Sequence, residues 1–84
     1  MPTISTFYGI VITMNLTNKE HNPPHIHAWY SGHAASFRIS DGELLFGVLP
    51  TRAKQMVKEF ISLYRDELLE MWEKGTYKKL KGIE

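Results

Sequence analysis

Three of the chain's four histidines, His21, His25 and His27, fall within seven residues around the doubled proline Pro23-Pro24. Imidazole is the side chain whose ordinary pKa lies nearest neutrality, so such a cluster can hold a metal ion or pass protons. Pro23 and Pro24 fix two φ angles and bias Asn22 away from helix, and the chain reaches His25 stiff and extended. From His25 the sequence reads as a strand, on which alternation places His25 and His27 on one face and Ile26 and Ala28 on the other. A histidine pair at i, i+2 on a strand is a common metal-ligand geometry, and His21 would then be the third ligand of a divalent ion such as zinc. Counting across the next hairpin sets Arg38 opposite His25 and Ser36 opposite His27. A fixed guanidinium raises the cost of binding a second cation and favours an anion, so in this reading no cofactor is expected. The patch then grips a phosphate, with His25 and His27 as acid and base, Arg38 on the phosphate, and His21, Asn22 and Ser36 completing the binding surface. That is the equipment of metal-free RNA cleavage. The bland alternative is a pair of surface imidazoles bonded to loop backbone; His33, beside Gly32, reads as an ordinary surface residue.

The elements that must position these groups are set by periodicity. Residues 7–14, rich in aromatic and β-branched side chains, read as one strand whose apolar character on both faces suggests an interior place or a covering partner. Residues 15–24 form a polar loop longer than an ordinary hairpin connection. Strands are expected over 25–30 and 33–40, joined by Ser31-Gly32, and from 43 to about 49, entered through Asp41-Gly42, the strongest hairpin signal in the chain. Two-residue turns at both places set Ile26 opposite Phe37, Ala28 opposite Ala35, Ile39 opposite Leu44, Phe37 opposite Phe46 and Ala35 opposite Val48, all on one apolar face. The other face collects the histidine patch, Ser40 opposite Glu43, and Gly47 beside Ser36, leaving room above it. Pro50 suits a first helical turn, and Ala53, Met56, Val57, Phe60, Ile61, Tyr64, Leu68, Met71 and Trp72 recur at spacings of three and four, which predicts an amphipathic helix ending at Gly75. A break near Tyr64, with Asp66 capping a second helix, is the alternative to one continuous rod. The expected fold is α+β: a small antiparallel four-stranded meander with one long helix, broken or unbroken at Tyr64, packed on one face. Tyr64 and Trp72 read as packing residues.

At 84 residues the chain is long enough for one small domain, expected over 1–75 and followed by a basic, loosely ordered tail over 76–84. With no cysteine, disulfides, a thiolate zinc finger and a cysteine nucleophile are all excluded, and a cytoplasmic setting is natural. A formal charge of +1 gives no electrostatic case for a polyanion partner, although the lysines at 74, 78, 79 and 81 lean basic. No stretch approaches the ~18 apolar residues of a membrane span.

Several stretches together resemble a known family. They are Met-Pro-Thr-Ile-Ser-x-Phe-Tyr-Gly-Ile-Val-Ile at the start, the His-Asn-Pro-Pro-His-x-His-Ala box, the Asp-Gly-Glu turn, Leu-Pro-x-Arg-Ala before the helix, and Arg-Asp-Glu-Leu-Leu-Glu-x-Trp near its end. They are similar to the bacterial domain of unknown function 4160, over residues 1 to about 72. The box positions that match are His21, Asn22, Pro23, Pro24, His25, His27 and Ala28. Trp29 stands where many relatives carry an acidic residue, which weakens the case for a carboxylate ligand there. The family implies no established activity and leaves open whether the chain is an enzyme. It does imply a short single-domain protein whose gene often lies beside that of another small family, domain of unknown function 2442, an arrangement reminiscent of toxin–antitoxin modules. The partners expected are therefore that neighbour-encoded protein or a second copy of the chain, with RNA as a further candidate and no membrane. A non-enzymatic interaction module, docking through a strand edge or the helix, is the third reading beside RNA cleavage and metal binding.

Overall fold

The glycine-bearing pairs Tyr8-Gly9 and Ser31-Gly32 reverse the chain twice in two residues each. All four residues have positive φ (51° and 79°, then 48° and 81°), the backbone of the primed hairpin turns that match strand twist. The computed structural model describes residues 3–14, 23–76 and 78–83. It contains β1 (Thr3–Phe7), β2 (Ile10–Thr13), β3 (His25–Tyr30), β4 (His33–Arg38), β5 (Leu44–Gly47) and α1 (Thr51–Lys74). The strands pair antiparallel in chain order β1-β2-β3-β4-β5. The sheet thus has five strands where four were expected. The segment expected as one strand is split at Tyr8-Gly9, and its two-sided apolar character arises because the reversal returns Ile10 and Ile12 to the side of Phe7, opposite Phe7 and Ser5 respectively.

The β3–β4 register is as expected, with His25 opposite Arg38, Ile26 opposite Phe37, His27 opposite Ser36 and Ala28 opposite Ala35. The β4–β5 register is not. Asp41-Gly42 does not make a two-residue turn; residues 39–42 form a wider loop closed by the Gly42 N–H on the Arg38 carbonyl (2.7 Å) and the Arg38 N–H on the Glu43 carbonyl (2.9 Å). Phe37 therefore faces Leu44, in place of the expected pairing of Ile39 with Leu44. Leu45 is then bulged out, so Phe46 faces Ser36 and Gly47 faces Ala35, where Phe46 had been expected opposite Phe37 and Val48 opposite Ala35. One inserted residue flips the parity of everything after it, and Phe46 and Val48 leave the core side. The wider loop frees Ile39 from the ladder and lets it sink fully into the core. Gly47, at φ 89°, is obligatory: a Cβ there would run into the Ala34 carbonyl and lie 2.8 Å from Ala35 Cα.

Helix α1 begins just after Pro50, which is the residue preceding its first turn and accepts the Lys54 N–H at 2.9 Å. The helix is interrupted at Tyr64 (φ −116°, ψ 23°), and just past the interruption Arg65 Nε donates to the Ile39 carbonyl at 3.0 Å. Gly75 ends it in the left-handed region at φ 66°, with its N–H on the Met71 carbonyl. The stripe Ala53, Val57, Phe60, Ile61, Leu68 and Met71 is buried and covers the sheet face that carries Ile12, Ile26, Ala28, Ala35 and Phe37. Phe7 stacks on Phe60, with ring centroids 5.1 Å apart. Beyond the helix, Leu80 joins this core and its N–H donates to the Ile4 carbonyl of β1 at 2.8 Å.

Candidate functional site

The sheet face opposite the one covered by the buried stripe of α1 carries the expected patch. His25 and His27 stand two residues apart on β3, and Arg38 and Ser36 face them from β4. The imidazoles meet edge to face at 5.1 Å between ring centroids. Described residues hold His25 on two sides. Its Nδ1 lies 2.9 Å from the Pro23 carbonyl, which can only accept, so Nδ1 carries the hydrogen and Nε2 is the basic nitrogen of the neutral ring. Its other side rests on the Trp72 ring at 5.2 Å, which ties the patch to the last turns of the helix. His27 sets Nδ1 against the Ser36 hydroxyl at 3.2 Å, while its Nε2 is buried. A hydroxyl bonded to an imidazole can exchange a proton with it, and this is the most reactive-looking contact in the patch.

Arg38 behaves differently from the expectation. Its Nε and Nη2 both donate to the Asp41 carboxylate, at 2.9 and 2.7 Å, in a bidentate pair that uses the guanidinium fork. The pair holds Arg38 further into its charged form, chiefly through the hydrogen bond to Asp41. Asp41 is in turn lowered to about 2, first by the Arg38 hydrogen bond and then by the Glu43 amide it accepts at 3.1 Å. A phosphate approaching this face would find the fork already engaged by a carboxylate. Gly47 leaves no open space over the patch, because Phe46 is the residue set beside Ser36.

His21 and Asn22, expected as ligand and binding residues, lie outside the described residues. Among the described residues no group of three His, Asp or Glu side chains is placed to hold a metal ion, so a site on His25 and His27 needs its third ligand from elsewhere. Sequence reasoning missed Asp41 as the partner of Arg38, Trp72 as the support of His25, and the exposed Phe46. Asp41 is three residues from Arg38 and was in principle findable. Trp72 was read only as packing, and its meeting with His25 depends on where the helix ends in space.

The rest of the same face is apolar. Trp29, which donates from Nε1 to Thr13 Oγ1 at 3.1 Å, faces Ala34 on β4, and Ala34 accepts the Val48 N–H. Phe46 is 80 % exposed and Val48 68 %, beside partly exposed Trp29 and Leu45. Singly exposed apolar residues are ordinary, but Trp29 on β3, Phe46 on β5 and Val48 just after it, gathered on one face, are not.

A small α+β domain with a histidine pair, His25 and His27, on one sheet face is the class that emerges. The family described as Domain of unknown function (DUF4160) matches residues 9–73, and the chain belongs to that family. No curated protein and no solved structure matches the chain. Among the described residues no helix is long and apolar enough to cross a membrane.

Proposed function

We propose that this chain is a non-enzymatic protein-binding module, one half of a two-gene pair of toxin–antitoxin type, that docks its partner on the open sheet face at Trp29, Phe46 and Val48. The observation that carries the reading is the exposure of Phe46 and Val48. The Leu45 bulge and the irreplaceable Gly47 give up backbone regularity to turn these side chains outward, where they contribute nothing to the core. Aromatic side chains in the centre of an open face are the usual anchors of protein interfaces. The partner we favour is the protein encoded beside this one, of the domain of unknown function 2442 type. Phosphate binding or RNA cleavage by His25, His27 and Arg38 fits less well, because Asp41 occupies the guanidinium fork. The histidines instead brace the edge of the docking face: His25 joins it to Trp72 and His27 joins β3 to Ser36.

The test is Phe46→Asp and Val48→Asp, singly and together, titrated against the purified neighbour-encoded protein by calorimetry. Each should weaken binding about tenfold to a hundredfold, the scale of an interface anchor, while thermal unfolding stays within a few degrees of the parent. Unchanged affinity in the doubly substituted protein would sink the proposal.

A further inference from the structure

Residues 78–83 lie along the outer edge of β1, the side of the sheet opposite β5. Their hold is light and selective. Among the described residues one backbone bond joins them to the strand, from Leu80 N–H to the Ile4 carbonyl. Leu80 is inserted into the core at 9 % exposure, and Gly82 sits so close to Phe7 that a Cβ on it would lie 2.6 Å from Phe7 Cβ and 2.9 Å from Cδ1. Lys78, Lys79 and Lys81 between and before these anchors are exposed. A cleft lined by Thr6, Phe7, Tyr8, Gly82 and Ile83 stays open beside the contact. The segment is therefore held by a leucine in a socket and a glycine against a ring, with Ile83 partly buried against the core and the three lysines solvated.

We propose that the β1 edge is a peptide-binding site for an extended Leu-x-Gly segment, occupied here in cis by Leu80-Lys81-Gly82, and that a partner polypeptide presenting the same pattern adds to β1 by displacing residues 78–83. An edge strand offers a row of backbone donors and acceptors, and among the described residues the cis segment engages one of them, the Ile4 carbonyl. Displacement need not disturb the helix, since the left-handed cap at Gly75 ends it before that segment begins. The site lies apart from Phe46 and Val48 and stands or falls independently of them.

The experiment uses the full chain carrying Leu80→Asp, which empties the socket, and a synthetic peptide of residues 78–83, Lys-Lys-Leu-Lys-Gly-Ile. Followed by the amide resonances of Ile4 and Phe7, the peptide should bind the Leu80→Asp protein at least tenfold more tightly than the unaltered chain, where the cis segment competes. A peptide with Gly82→Val should fail to bind either. A folded Leu80→Asp protein whose Ile4 and Phe7 resonances ignore the peptide at millimolar concentration overturns the proposal. Should Leu80→Asp not fold, hydrogen exchange on the unaltered chain decides. The Leu80 amide should exchange by local opening, at least a hundredfold faster than that of Ile12 in β2; exchange of both only through global unfolding makes the segment an integral part of the core and overturns the proposal.

Discussion

Arg38 and Asp41 are each more than a third exposed, so solvent screens their pairing and it matters less for stability than for what it does to the patch. The fork that would grip a phosphate is closed, and the positive charge near His25 is offset by a carboxylate three residues away. The pairing has a defined pH signature. Asp41 is held at about 2 in the folded chain against an ordinary value of 3.8, so its contribution is fully present above pH 4 and is lost as pH falls from about 4 towards 2. Carbon-detected NMR titration of the Asp41 carboxyl should give that low midpoint, and Arg38→Ala should return it most of the way to 3.8. A midpoint still near 2 in Arg38→Ala would assign the effect to the Glu43 amide instead.

At the scale of elements, β4 and β5 each bring a phenylalanine to the sheet, and the bulge decides which one the core receives. Phe37 is fully buried on the helix side with Ile26 and Phe60, while Phe46 is exposed on the other. Phe37→Ala removes a large buried ring and should cost about 3 to 5 kcal/mol. For a domain of this length that lowers the melting temperature by more than about 12 °C. Phe46→Ala should stay within about 0.5 kcal/mol of the parent, as a surface substitution does. Thermal unfolding of the two variants side by side distinguishes the observed register from the one a two-residue Asp41-Gly42 turn would impose, in which both changes would be severe. The interruption of α1 at Tyr64 belongs to the same scale. The rod bends where Arg65 reaches the Ile39 carbonyl, so the wide 39–42 loop and the helix break are joined by one hydrogen bond.

For the molecule as a whole, the two edges of the sheet are treated differently. The β1 side is covered by the chain's own residues 78–83, whereas the face beside β5 presents apolar surface without a clear charge excess. Binding on that face should therefore be nearly indifferent to salt. Between about 0.05 and 0.5 M sodium chloride, affinity for the neighbour-encoded protein should change by less than about threefold, because screening acts on charges and not on apolar burial. A steep fall in affinity with salt, measured by calorimetry across that range, would point to the lysines or to Arg38 as the docking groups.

The sequence by itself determined those features whose causes are local. Pro23-Pro24 followed by alternation set His25 and His27 on one face, and Ser31-Gly32 set the β3–β4 register, so the cross-strand pairs His25–Arg38 and His27–Ser36 were legible. The apolar repeat from Ala53 to Met71 specified the helix, Gly75 its end and Tyr64 its weak point. The split of the first strand was marked only by Gly9, because a tyrosine at φ 51° is a conformation its side chain does not advertise. Tertiary structure alone decided the rest. Burying Ile39 required a wider loop than Asp41-Gly42 suggests, the wider loop brought Asp41 onto Arg38, and the bulge at Leu45 moved Phe46 from core to surface. Strand parity is a count along the whole ladder: one residue inserted in β5 changes which side chain stands beside the patch, and no local pattern records where the ladder will skip.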